Sequence, residues 1–177
     1  MKVLLIIVIL YLFFCISKRS MKRKFQIHNV LGDGNCMYYA IAVSLFYDQY
    51  KKLPTEKQYT SIGKNLKVIA CISLFKEIEN NNTNIIEILS SEIKSTEKNH
   101  LKRANLYIKQ MLKHNSWGGC IELFALSKYI HEQGYKGVEV FDEKLNKFHE
   151  LCSVLKQKGK SLKIVFTGNH YKSLVLI

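Results

Sequence analysis

From Met37 to Tyr47 the chain reads MYYAIAVSLFY, apolar nearly all round. A surface helix keeps a polar stripe for water, so a helix of this kind has to be enclosed by the rest of the domain. Directly before it stand Gly32-Asp33-Gly34-Asn35-Cys36, preceded by a short extended stretch from Phe25 to Leu31. That order puts a cysteine at the N-terminus of the helix around which everything else must be built.

The surroundings follow from periodicity. Ile62, Leu66, Ile69, Ala70 and Ser73 recur at helical spacing, as do Ile85, Ile86, Leu89 and Ile93, and then Leu101, Ala104, Ile108, Met111 and Leu112. Ile121 to Ile130 adds a further helix closed near Gly134, and the asparagines at 80–82 and Asn84 mark a turn between helices. Beyond it the period changes to two: Val138 and Val140, then Leu162, Ile164 and Phe166, then His170 to Ile177 read as strands. Helices first and strands later predict an α+β class, a small β-sheet packed between helices. At 177 residues, 47% of them apolar and with one proline, the chain can bury a real core, and a monomer with one domain over residues 25–177 is expected.

The charge is +13, from 27 Lys and Arg against 14 Asp and Glu. Six of the cations (Lys2, Lys18, Arg19, Lys22, Arg23, Lys24) fall before residue 25 with no acid among them, which leaves the body at +7. There Glu77, Glu79, Glu87, Glu92 and Glu97 interleave with lysines, so no basic block forms and no nucleic-acid partner is expected. Five cysteines (Cys15, Cys36, Cys71, Cys120, Cys152) without a CxxC spacing support neither a small disulfide scaffold nor structural zinc. No metal and no organic cofactor is expected.

Val3 to Ile16 are apolar without interruption, the length of a signal-peptide core and short of the roughly 20 residues that span a bilayer. Residues 1–20 are therefore expected to act as a signal peptide cleaved near Ser17, or as a short signal anchor. The heavier positive charge after the apolar run favours the anchor, with the following domain on the cytoplasmic side and membrane association through residues 3–17. Secretion after cleavage is the alternative, and a start at Met21 would delete the segment.

Chemistry concentrates at Cys36. At a helix N-terminus, free N–H groups and the helix dipole favour a thiolate, and a glycine-rich turn can present N–H groups to an oxyanion. The same residues also fit an ordinary tight turn followed by a buried cysteine. A thiol nucleophile needs a base. His100, His114, His131 and His149 lie in lysine-rich or polar surroundings and His28 precedes the turn, whereas His170 follows Gly168-Asn169 and opens the final strand.

Taken together, the sequence resembles the ovarian tumour (OTU) cysteine proteases, which remove ubiquitin or ubiquitin-like proteins from conjugates. GDGNC with Met37, Tyr38, Tyr39 and Ala40 looks like the family's nucleophile motif. Trp117-Gly118-Gly119 with Glu122, Leu123, Ala125 and Leu126 looks like its central motif, and His170-Tyr171 like its terminal one. The resemblance implies an OTU-like fold over residues 25–177, a thiol-dependent deubiquitinase, and ubiquitin or ubiquitin-like conjugates as partners. It makes Cys36 the nucleophile and His170 the base, associates Asp33 with the active site, and draws an oxyanion hole from the backbone of Gly34, Asn35 and Cys36. Trp117 would shape the substrate groove or pack the helix junction, Glu122 would serve the helix N-terminus, and Tyr171 would belong to the core.

One position departs from the pattern. Two residues after the histidine, where many family members carry Asp or Asn, this chain has Lys172. Positions i and i+2 of a strand share a face, so a cation points to the side of His170 and cannot accept its N–H. Asp33, a water or nothing is left to steady the imidazole. Two further readings follow: a catalytically weak relative that binds and shields ubiquitin conjugates, and a basic protein acting at nucleic acid or a membrane surface.

Overall fold

The computed structural model describes residues 25–113, 115–148 and 159–177. Its centre is α1 (Cys36–Tyr50), in which every residue from Met37 to Val43 is fully buried. The helix is enclosed because its two sides meet different elements: α2 (Glu56–Glu79) covers one, and strands β4 (Ser161–Phe166) and β5 (Tyr171–Leu176) cover the other. It stops where Lys51 turns left-handed, with φ 54°, and its N–H donates to the Tyr47 carbonyl at 2.8 Å.

Helix α2 starts earlier than its apolar period indicates. Its first turn is polar and exposed, and the start is written instead in Thr55 and Gln58: the Gln58 N–H donates to Thr55 Oγ1 while the Thr55 N–H donates to Gln58 Oε1 at 2.8 Å. Its inward face is Tyr59, Gly63, Leu66, Lys67, Ala70, Cys71, Leu74 and Ile78, about a quarter-turn round from the face expected through Ile62, Leu66, Ile69, Ala70 and Ser73, with which it shares Leu66 and Ala70. The asparagine turn is as expected: Asn81 takes φ 56°, and the Asn82 side chain accepts from the Ile85 N–H to open α3 (Thr83–Glu92). Asn99 opens α4 (His100–Met111) in the same way, accepting from the Lys102 N–H. Then α5 (Cys120–Glu132) returns against α2.

The sheet has the order β1-β5-β4-β2-β3, with β1 at Phe25–His28, β2 at Gly137–Asp142 and the short β3 at Lys147–Phe148. Strands β2 and β4 run parallel and the other pairs antiparallel. This is the small mixed sheet of an α+β fold. In β5 the buried residues alternate as Tyr171, Ser173 and Val175, the side that meets α1. Ser44 of α1 closes that interface by donating to the Lys163 carbonyl at 2.9 Å, within 2.8 Å of Ser173 Oγ. Two edges differ from expectation. The N-terminal strand ends at His28 instead of running to Leu31, and His170 stands just before β5. It does so because Thr167 to His170 form the loop of a hairpin in which Phe166 pairs with Tyr171.

Among the described residues no helix is long and apolar enough to cross a membrane. The expected placement, at a membrane with the catalytic domain on its cytoplasmic side, is therefore corrected: no structural feature carries it. The apolar segment on which it rested, residues 3–17, lies outside the described residues, as does the cleavage point near Ser17.

Candidate active site

The Gly32–Cys36 loop is shaped by its own side chains. The Asp33 carboxylate accepts the Asn35 main-chain N–H at 3.0 Å and the Asn35 side-chain N–H at 3.2 Å through Oδ1, and the Tyr39 hydroxyl at 3.0 Å through Oδ2. An aspartate two residues before its main-chain donor makes a tight turn of its own. Gly34 completes it with φ 86°, and a Cβ there would lie 2.5 Å from the main-chain carbon of Asn115. The glycine is required both for its conformation and for the close approach of the loop ahead of α5.

Cys36 is the first residue of α1 and is 4% exposed. Its sulfur faces the main chain of Tyr171, Met37 and Cys36 itself, so folding brings the nucleophile loop against the residue that follows His170. Burial pushes the Cys36 thiol up and the Asp33 charge adds to this, while the three main-chain contacts work the other way. The expectation of a thiolate favoured by the helix terminus is thus corrected: in the substrate-free site desolvation outweighs the N–H donors.

His170 is fixed by its hairpin. Its carbonyl accepts the Thr167 N–H at 2.9 Å and the Thr167 hydroxyl at 3.1 Å. Its ring lies over Gly32, with Nδ1 3.7 Å from where a Cβ on that glycine would stand. Burial lowers its pKa, the Lys172 charge lowers it further, and a hydrogen bond to the Val30 main chain acts in the opposite sense. A carbonyl contributed by the segment before the loop therefore meets the imidazole in a chain that lacks the usual acid. Asp33, the side chain expected from sequence to steady the ring, has its carboxylate engaged by Asn35 and Tyr39.

The loop between α4 and α5 carries the third motif, and its neighbours divide the work. Trp117 is 57% exposed, so it does not pack the helix junction. Gly118 does, since a Cβ there would lie 2.6 Å from Met37 Cε and 3.0 Å from the Tyr38 ring. Glu122, 1% exposed, accepts the Gly119 N–H at 2.8 Å and the Tyr107 hydroxyl at 2.6 Å, so it secures the start of α5 as expected. Tyr171 is buried, also as expected. Among the other histidines, His28 stacks edge-on to Tyr59, His100 Nδ1 is 2.8 Å from Ser90 Oγ and His131 Nε2 is 3.1 Å from the Lys136 carbonyl; His114 and His149 lie outside the described residues.

Asp33, Gly34, Asn35, Cys36 and His170 thus meet at one corner of the molecule. A cavity of about 320 Å³ lies elsewhere, lined by Asp48, Lys136, Glu139, Lys160 and Lys163 among others and by none of those five. Sequence reasoning missed two contributors. The Val30 carbonyl leaves no trace in residue types. Lys67 does: a lysine beside Leu66 and Ala70 interrupts an inward apolar face, and a buried cation needs partners.

Comparison with known proteins gives the class. The family model of the OTU-like cysteine proteases matches residues 31–171. The chain belongs to that family. Among solved structures, an OTU domain in complex with ubiquitin superposes with a TM-score of 0.58 at 22% identity, over 89% of this chain and 73% of that one. The OTU domain protease of Farallon virus gives 0.53 at 25% identity, over 86% and 85% of the two chains. An OTU deubiquitinase from Wolbachia pipientis gives 0.52 at 15% identity, over 86% and 88%. No curated protein matches the sequence.

Proposed function

We propose that this protein is a thiol-dependent deubiquitinase that hydrolyses isopeptide bonds at the C-terminus of ubiquitin or a ubiquitin-like modifier. The observation that carries the reading is the contact of the Cys36 sulfur with the Tyr171 main chain, which joins the nucleophile loop to the His170 hairpin across most of the sequence. The family membership and the ubiquitin-bound OTU domain among its structural relatives support it.

In this reading His170 takes the Cys36 proton and the sulfur attacks the carbonyl carbon of the modifier's terminal glycine. The oxyanion is received by main-chain N–H groups of Gly34 and Cys36, while the Asn35 N–H of the expected trio is taken by the Asp33 carboxylate that holds the loop in shape. The imidazolium then gives its proton to the lysine nitrogen as the C–N bond breaks, which leaves a thioester on Cys36. A water that loses its proton to His170 adds to the thioester, and the thiolate departs and is reprotonated. Exposed Trp117, on the loop that backs Gly34, is positioned to line the groove for the modifier's tail.

A raised thiol and a lowered imidazole both oppose the ion pair in the free enzyme. A ubiquitin carrying a C-terminal electrophile is expected to label the wild type and not Cys36→Ala. A folded wild type that never labels would refute catalysis. It would favour the second reading, a relative that binds and shields conjugates, for which Lys172 beside His170 is the supporting observation.

A further inference from the structure

Lys67 lies on the inward face of α2 and is 6% exposed. An enclosed ammonium is costly unless acceptors surround it. Its Nζ donates to Asn35 Oδ1 at 2.8 Å, to the Lys113 carbonyl at 2.9 Å and to Ser116 Oγ at 2.8 Å, with the Ser116 carbonyl at 3.4 Å and the Tyr38 ring centre at 6.0 Å. One cation on α2 thereby holds both the nucleophile loop and the loop that backs Gly34.

The consequence lies in what Asn35 does not do. It stands at the N-cap of α1, where an asparagine side chain ordinarily turns back to accept a first-turn N–H. Here its backbone takes φ −98° and ψ 9°, and its side chain makes no capping bond. Oδ1 goes to Lys67 and Nδ2 to Asp33 instead. A cap would take the Met37 or Tyr38 N–H, and without one the Met37 N–H faces the Cys36 sulfur, beside the N–H of Cys36 itself.

We infer that Lys67 is a positioning residue for the nucleophile: by drawing the Asn35 carboxamide away from the helix terminus, it keeps the first turn of α1 uncapped and leaves the Met37 N–H to the Cys36 sulfur. This deepens the proposed thiol chemistry and rests on it. In Lys67→Met the freed Asn35 is expected to leave its φ −98°, ψ 9° backbone for the extended conformation of an N-cap and to take the Met37 or Tyr38 N–H. Asn35→Ser reaches the same state from the other side, because serine is a strong N-cap too short to reach Lys67. Lys67→Gln keeps an N–H donor for Asn35.

The test measures alkylation of Cys36 by iodoacetamide against pH, read at the Cys36 peptide by mass spectrometry so that buried Cys71 does not contribute. Hydrolysis of a ubiquitin C-terminal amide reporter and thermal melting accompany it. Lys67→Met and Asn35→Ser are expected to move the alkylation profile to higher pH and to slow the reaction at neutral pH about threefold or more, since fewer N–H donors favour the thiolate. Lys67→Met should also lower kcat about tenfold or more with little change in KM, because the loop that carries the oxyanion donors loses its tie to α2. Lys67→Gln should lie between Lys67→Met and wild type. A folded Lys67→Met, or a folded Asn35→Ser where the lysine variants do not fold, with the wild-type alkylation profile overturns the inference. Alkylation shifts as expected in a protein that never turns over the ubiquitin reporter would sink the deubiquitinase reading and leave the role of Lys67 standing.

Discussion

Gly34 is the position where a one-carbon change should cost most, and two independent terms set the cost. An alanine there would hold φ 86° with a Cβ present, a left-handed conformation that costs about 1–2 kcal/mol. The added carbon would also stand 2.5 Å from the Asn115 main chain, and forcing an atom into such a contact costs typically about 1–3 kcal/mol. The sum, about 2–5 kcal/mol, corresponds to a fall in Tm on the order of 10 °C for a chain of this size.

Two other glycines separate the terms. Gly134 has φ 85° with nothing within 4 Å of its Cβ, so Gly134→Ala meets the conformational cost alone and should melt about 4 °C below wild type. Gly63 sits inside α2, where alanine is the better helix former by about 1 kcal/mol, but its Cβ would lie 2.4 Å from Tyr39 Cδ1. Tyr39 is tied through its hydroxyl to Asp33, so any yielding of that ring displaces the nucleophile loop. Gly63→Ala should therefore lose more activity than stability. Differential scanning calorimetry with electrophile labelling measures all three. If Gly34→Ala melts within about 2 °C of Gly134→Ala and labels normally, Asn115 moves aside freely and the loop is not held from behind as argued.

Glu122→Ala leaves the Gly119 N–H and the Tyr107 hydroxyl without their acceptor at a 1% exposed position. It should destabilise by about 2–4 kcal/mol in chemical denaturation, and Glu122→Gln by less; equal losses would show that the cavity, not the hydrogen bonds, sets the cost. Lys172→Asp replaces a cation that lowers the His170 pKa by an acceptor that raises it, so neutral-pH alkylation of Cys36 should quicken and the basic limb of the pH–rate profile should move up. An unchanged profile would mean that Lys172 is too well solvated to matter. Burial holds the pKa of both His28 and His170 below the ordinary 6.5, so the unfolded chain takes up protons first as pH falls. Stability present above that value should be lost as pH drops through it towards the folded values. Melting between pH 7.5 and 5.5 reads this, and a Tm that rises on acidification in that range would contradict the sign.

The features legible in the sequence are those that residue types encode locally. The enclosed helix shows in an unbroken apolar run, the strands in alternation, the turn in three asparagines and the site in GDGNC with a distant histidine. The start of α2 was equally legible in Thr55 and Gln58 but lies outside its apolar period. Other features depend on what the fold sets face to face. The rise of the Cys36 thiol is one. A helix terminus alone argues for a thiolate, and only the burial of that terminus by β5 and the nearness of Asp33 reverse the sign. The rotated face of α2 is another, since Gly63 and Lys67 point inward because Tyr39 and Asn35 are there to receive them.

The same distinction explains how a site can lack the acid that its sequence pattern leads one to look for. An imidazole needs its second ring nitrogen held, and a main-chain carbonyl can do that as well as a carboxylate side chain can. What it cannot supply is a full negative charge. Here the Val30 contact raises the His170 pKa, but burial and Lys172 outweigh it. The Cys36 thiol is shifted the opposite way, so both shifts disfavour the ion pair. Stabilisation of the charged state then falls to the fixed dipoles around the sulfur, the N–H groups of Cys36, Met37 and Tyr171, and their availability depends on the way Asn35 is held. Side-chain charge beside the histidine and main-chain donors beside the cysteine are alternative ways to stabilise one ion pair, and the main chain around Cys36 fits the second.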